Sequence, residues 1–125
     1  MRTQRTNGFT LLELMIAVAI LGVIAAIAIP AYNGYIMTSH KTECQNEIAA
    51  IKLAESEFFL DNNLYFQGNT AADLGTASGG IYVPSPNLTE CEYKVVAAAT
   101  SYTITASPKI GGHLVGQGNI VVSGP

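Results

Sequence analysis

Phe9 to Ile29 is an apolar run interrupted only by Thr10 and Glu13, and no residue from Leu14 to Ile29 is charged. As a helix rising about 1.5 Å per residue it spans roughly 31 Å, against about 30 Å for a bilayer hydrocarbon core. In water such a run would need cover on every side. One chain of 125 residues is enough for one domain, not two. The predicted division is therefore a bare rod followed by a small globular part. Composition fits: 49% of residues are hydrophobic and 12% charged, where a soluble domain carries about 25% charged residues.

The order of segments matters as much as their polarity. Met1 to Gly8 is short, polar and basic, and has no apolar core. In an ordinary secretory signal the apolar region precedes the cleavage site and is discarded. Here it follows Gly8, so a cut after Gly8 leaves it on the mature chain. Arg2 and Arg5 precede the span and hold that end in the cytoplasm.

Glu13 is the residue that a simple membrane anchor does not need. At the centre of a bilayer an acidic residue costs about 2.5–3.5 kcal/mol on insertion scales, and less near an end. Cleavage after Gly8 would leave a cationic amine on Phe9, one helical turn from Glu13. A carboxylate in a first turn is also favoured by the helix macrodipole. Two readings follow. Glu13 pairs with the Phe9 amine of a neighbouring chain and sets axial register, as buried polar groups do in coiled coils; or it sits partly solvated at headgroup level. Further on, Pro30 removes an N–H and crowds the preceding turn, and Gly22 weakens the helix by roughly 1 kcal/mol relative to Ala. The two bracket Val23 to Ile29 as a stretch able to bend, or are a Gly and a Pro that membrane helices tolerate. Tyr32 and Tyr35 read as interface anchors.

Gly8-Phe9-Thr10-Leu11-Leu12-Glu13-Leu14-Met15 after a short basic leader resembles the class III signal of type IV prepilins. The match covers residues 1 to about 36. It implies cleavage between Gly8 and Phe9 by a prepilin peptidase, N-methylation of Phe9, an assembly role for Glu13, and flexibility around Gly22 and Pro30. It implies residence in the inner membrane before assembly. An extracellular pilus made of copies of the chain follows, built by inner-membrane assembly machinery. Motility, adhesion and DNA uptake are roles that such filaments serve.

The expected fold is α+β: a leader over 1–8, an apolar transmembrane and assembly helix over 9–36, and a pilin globular domain over 37–125. From Thr38 to about Leu60, Cys44, Ile48, Ile51 and Phe58 recur near a 3.6-residue period, with Ala54 between the last two. This stripe is core, and with the apolar run it predicts one helix of about fifty residues. Asp61-Asn62-Asn63 ends it. Residues 61 to about 90 read as loop, rich in Gly, Pro, Ser, Thr and Asn, with Leu64, Tyr65 and Phe66 tucked beneath. The region from about 91 to 123 alternates as strands: Tyr93, Val95 and Ala97; then Tyr102, Ile104 and Ala106; then Asn119 to Ser123. Three consecutive strands make an antiparallel meander whose apolar face covers the helix stripe.

Cys44 and Cys91 are the only cysteines. They are a disulfide if the chain is exported, or two buried thiols. As a bond they would staple helix to sheet, and closing a loop of about 48 residues contributes about 4 kcal/mol in the chain-entropy model.

Other functions find little support. His40 and His113 have no evident nucleophile or carboxylate constellation and read as surface residues, so no catalytic residue, cofactor or metal site is expected. Net charge is −3; without Arg2 and Arg5, four basic residues stand against nine acidic ones. No run of Lys and Arg compensates, so direct nucleic-acid binding is not expected. A minor pilin or a type II secretion pseudopilin shares the same N-terminus and is the alternative to a main pilus subunit. A membrane-anchored binding module that never polymerises is a third reading.

Overall fold

The computed structural model describes residues 8–75, 79–82 and 90–125, with the backbone alone for Ala71. The leader residues 1–7, and Pro84 and Pro86 of the expected loop, lie outside them. The elements are α1 (Leu11–Asn62), α2 (Ala71–Leu74), β1 (Cys91–Ala97), β2 (Tyr102–Pro108) and β3 (Ile120–Gly124). The chain divides into two compact units, one ending at Ile36 and one from Met37 to Pro125.

In the first unit α1 is helical throughout, Gly22 and Pro30 included. Among the described residues α1 is the one helix long and apolar enough to cross a membrane. Its large side chains are exposed from Leu11 to Ile29, on every side of the helix.

The second unit is built around one stripe of α1. Cys44, Ile48, Ile51 and Glu55 are its buried residues, spaced four, three and four apart. That spacing keeps them on one face. Against them lie Tyr93 and Val95 of β1, Tyr102, Ile104 and Ala106 of β2, Leu74 of α2 and Leu114 of the β2–β3 loop. Burying an Ile such as Ile51 is worth about 1.5–3 kcal/mol.

The sheet is an antiparallel meander in the order β1-β2-β3. Cys91 pairs with Pro108 and Ala97 with Tyr102; Tyr102 pairs with Gly124 and Ala106 with Ile120. Residues 98–101 join β1 to β2, closed by a bond from the Ala98 N–H to the Ser101 carbonyl (2.7 Å). Strict alternation in β1 and β2 puts one face in the core and turns Glu92, Lys94 and Val96 outward.

α1 stops where Asn63 takes φ 54°, a left-handed conformation that Asn tolerates. Its N–H reaches the Phe59 carbonyl at 2.8 Å, satisfying one terminal acceptor. The segment that follows has more structure than its composition predicts. Thr70 and Asp73 form a reciprocal capping box that starts α2. Gly68 exchanges two backbone hydrogen bonds with Val95 (3.2 and 2.7 Å). An added Cβ on Gly68 would lie 2.9 Å from Leu74 Cδ2, so this close approach needs glycine. Tyr65 and Phe66 pack against the core as expected, but Leu64 is exposed.

The stripe differs from expectation at its end. Ala54 and Phe58 are only partly buried, and Glu55 is wholly buried in their place. The reason is a hydrogen bond: Glu55 Oε2 accepts from the Phe66 N–H at 2.9 Å and fastens the chain after α1 to the core. Its Oε1 is buried and has no partner.

Burial raises the Glu55 carboxyl above its ordinary range, and the Phe66 bond offsets this only in part. The native state then holds the Glu55 proton more tightly than the unfolded chain, so this contribution to stability is lost as pH rises from about 4.5 through the native value. Glu55→Gln keeps the acceptor and removes the charge. Its denaturant midpoint is expected to fall less than the parent's between about pH 4 and pH 7. Parallel curves for parent and variant would show that Glu55 is not the source.

Candidate assembly site and the helix-to-sheet junction

The N-terminal site is built by the start of α1. Thr10 is the residue before the first helical position, and its carbonyl already accepts the Leu14 N–H (3.2 Å). Its Oγ1 accepts from the Glu13 N–H at 3.2 Å. That is helix capping by Thr three residues before an acidic residue, a signature that sequence reasoning passed over at Thr10. It places Glu13 in the first turn, where the carboxylate meets unpaired N–H groups and the positive end of the helix dipole. Phe9, Leu11 and Leu12 are each more than two-thirds exposed, so the site offers a carboxylate in the middle of a wide apolar surface. Gly8 precedes it, with nothing close to the position of a side chain. Gly22 is equally open.

The second place where functional residues meet is the junction of α1 and β1. Cys44 and Cys91 are joined by a disulfide, with Cα atoms 5.9 Å apart, and both are buried. The bond staples α1 to β1 as the two-cysteine count allows.

Next to it stands a group that the sequence did not reveal. Glu90 precedes Cys91, and its carboxylate takes two bonds from His113: Oε2 accepts from the backbone N–H (2.8 Å) and Oε1 lies 3.1 Å from Nδ1. His40 Nδ1 lies 4.0 Å from the same Oε1 and 3.5 Å from Glu43 Oε2. The two imidazoles stack with centroids 4.6 Å apart. Hydrogen bonds from His113 hold the Glu90 carboxyl below its usual range. His40 is thus half-buried beside two carboxylates, which corrects its reading as a plain surface residue. The signal was present: His40 is one helical turn from Cys44 and Glu90 is adjacent to Cys91, so pairing the cysteines brings both together. Nothing in the sequence places His113, which arrives on the β2–β3 loop.

Beyond this lie two phenols, Tyr82 half-buried and Tyr93 buried. The Tyr82 hydroxyl donates to Glu47 Oε2 at 2.8 Å; burial first and the Glu47 bond second push its pKa up to about 12. Tyr93 is raised too, chiefly by desolvation, and its hydroxyl is buried without a partner. Neither is poised for proton transfer near neutrality.

Comparison with known proteins agrees with these two regions. Residues 3–29 match the family model described as "Prokaryotic N-terminal methylation motif". Residues 30–117 match the one described as "Type IV minor pilin ComP, DNA uptake sequence receptor". The fimbrial protein EcpC of Eikenella corrodens is 40% identical over 112 residues, covering 90% of this chain and 69% of that protein. The type IV major pilin protein PilE of Neisseria gonorrhoeae is 38% identical over 79 residues, 62% of this chain and 47% of PilE. The type IV major fimbrial protein FimA of Dichelobacter nodosus is 43% identical over 77 residues, 59% of this chain and 49% of FimA. The chain spans about half the length of the latter two relatives.

The chain belongs to the type IV pilins. These are structural subunits, not enzymes; they are anchored in the membrane before assembly and then form extracellular pili, which the exposed apolar half of α1 fits.

Removing the cap tests the local account of the N-terminus. Thr10→Ala leaves the Glu13 N–H without its acceptor and costs the start of the helix about 0.5–2 kcal/mol. Amide exchange at Glu13, followed by NMR in detergent micelles, is expected to quicken roughly twofold to thirtyfold. Unchanged exchange would mean that Thr10 does not cap.

Proposed function

We propose that the chain is cleaved after Gly8, methylated at Phe9, and built into a type IV pilus as a minor subunit through lateral packing of α1. The observation that carries this is the bare helix: among the described residues nothing covers the large side chains from Leu11 to Ile29, and Glu13 sits at its capped end. Membrane lipid can cover that surface first and copies of the same helix afterwards. A carboxylate inside such a bundle needs a cation, and the amine freed on Phe9 of a neighbour supplies it. Prepilin peptidase and the inner-membrane assembly machinery are the partners that this reading requires. The match of residues 30–117 to a minor pilin model favours the minor role over the main subunit.

Glu13→Ala, expressed in the native host, is expected to abolish incorporation of the chain into sheared surface filaments while leaving its level in the membrane unchanged. Immunoblots of filament and membrane fractions check this. Normal incorporation would remove Glu13 from assembly. If the chain dominates the filament protein by mass, it is a main subunit instead.

A second reading is contact with DNA, favoured by the description of the matching model. It stands against the acidic net charge. The local support is a groove lined by Lys94, Lys109, Asn69, Thr70 and Ser107, with one acid, Glu92. Two lysines on phosphates give a slope of log affinity on log salt of about −1.8. Electrophoretic mobility shifts of Lys94→Ala/Lys109→Ala against the parent decide it: affinity falls and the slope flattens if the groove holds DNA, and neither changes if it does not.

A further inference from the structure

His40, Glu90 and His113 are brought together from three separate parts of the second unit: α1, the residue before β1, and the β2–β3 loop. Each offers one ligand atom, and these atoms lie within 4.8 Å of one another. We propose that this trio is a binding site for a late first-row divalent cation, with Zn2+ as the representative ion.

Spacing supports the assignment. Two ligands each about 2.0–2.2 Å from one ion are at most about 4.4 Å apart. His113 Nδ1 and His40 Nδ1 lie 3.1 and 4.0 Å from Glu90 Oε1, inside that limit. All three ligand atoms lie within 4.8 Å of one another, a bound only a few tenths of an ångström above that limit. Two imidazoles and one carboxylate are a donor set for zinc and its neighbours, whereas calcium and magnesium take oxygen ligands.

The surroundings hold the ligands without filling the centre. Leu114 is buried in the core and fixes the loop beside His113. The Lys109 N–H bonds the Glu90 carbonyl at 2.9 Å, fixing the backbone of that residue. An added Cβ on Gly112 would run into the Glu90 carboxylate, so glycine leaves room for it. Glu43 faces His40 Nδ1 at 3.5 Å through Oε2, while its Oε1 is buried and unpartnered. It places a second carboxylate beside the ion. The His113 side chain is 64% exposed, which leaves a coordination position to water and a path of entry.

The disulfide already joins α1 to β1 at this end of the sheet. An ion would add the β2–β3 loop to the same junction. The site would thus set the posture of a surface loop according to the metal outside the cell.

The test is isothermal titration calorimetry of ZnCl2 into the full chain, processed, free of any affinity tag and held in detergent micelles. The expected result is one Zn2+ per chain at micromolar concentration, reversed by EDTA and not matched by CaCl2. His113→Gln is expected to weaken binding roughly tenfold or more. His113 is exposed and its backbone N–H still reaches Glu90, so this variant keeps the fold, checked by circular dichroism. His40→Gln/His113→Gln is expected to bind no zinc, and X-ray absorption of the loaded parent to show nitrogen and oxygen neighbours at about 2.0–2.2 Å. Failure of the folded parent to bind stoichiometrically, equal binding by the double variant, or equal response to CaCl2 overturns the proposal.

Discussion

The disulfide between Cys44 and Cys91 is the constraint on which the second unit turns. It ties one turn of α1 to the first residue of β1, and the rest of the packing follows in register from that point. Ile48, Ile51 and Glu55 continue the α1 stripe, while Tyr93 and Val95 continue β1 on its inner face. The β1–β2 pairing then carries Ile104 and Ala106 onto the same core. A sheet of three short strands has limited area to bury, and the loop closed by a bond between positions 47 apart removes much of the freedom of the unfolded chain.

The polar groups that enter this core do so at its ends, each with a separate task. Glu55 sits at one end and holds the chain after α1 by the Phe66 N–H. Glu43, Glu47 and Glu90 gather near the other, with Tyr82, Tyr93 and two histidines facing them. Buried or half-buried carboxylates are costly without partners, and most of these have one. The first unit faces the opposite problem. Among the described residues its large apolar side chains are exposed, so cover for them comes from outside the chain.

Much of this was legible in the residues. The apolar run, the acidic residue near its start and the period-2 alternation of Tyr102, Ile104 and Ala106 are local patterns, readable without knowing distant partners. The α+β arrangement followed from them, as did the helix from the apolar run into the stripe. What escaped depends on partners distant in sequence. Glu55 looks like a surface residue until Phe66 presents its N–H. The Gly68–Val95 bridge and α2 were hidden in a segment whose composition reads as loop. His113 meets Glu90 from the β2–β3 loop, in which Gly111 and Gly116 adopt positive φ. The capping role of Thr10 is local, since its Oγ1 and Glu13 are three residues apart.

The bridge at Gly68 also makes the two margins of the sheet unequal. On the β1 side a passing segment claims the backbone groups of Val95, so a foreign strand finds that margin partly occupied. On the β3 side the edge of Ile120–Gly124 that faces away from β2 has no partner strand among the described residues. Its outward N–H and C=O groups are a template for cross-chain pairing, and the sequence IVVSG carries no charge to discourage it. Brevity is the restraint: five residues offer too few ladder bonds to hold a stranger for long. A change that lengthened β3 would therefore trade solubility for adhesion between molecules.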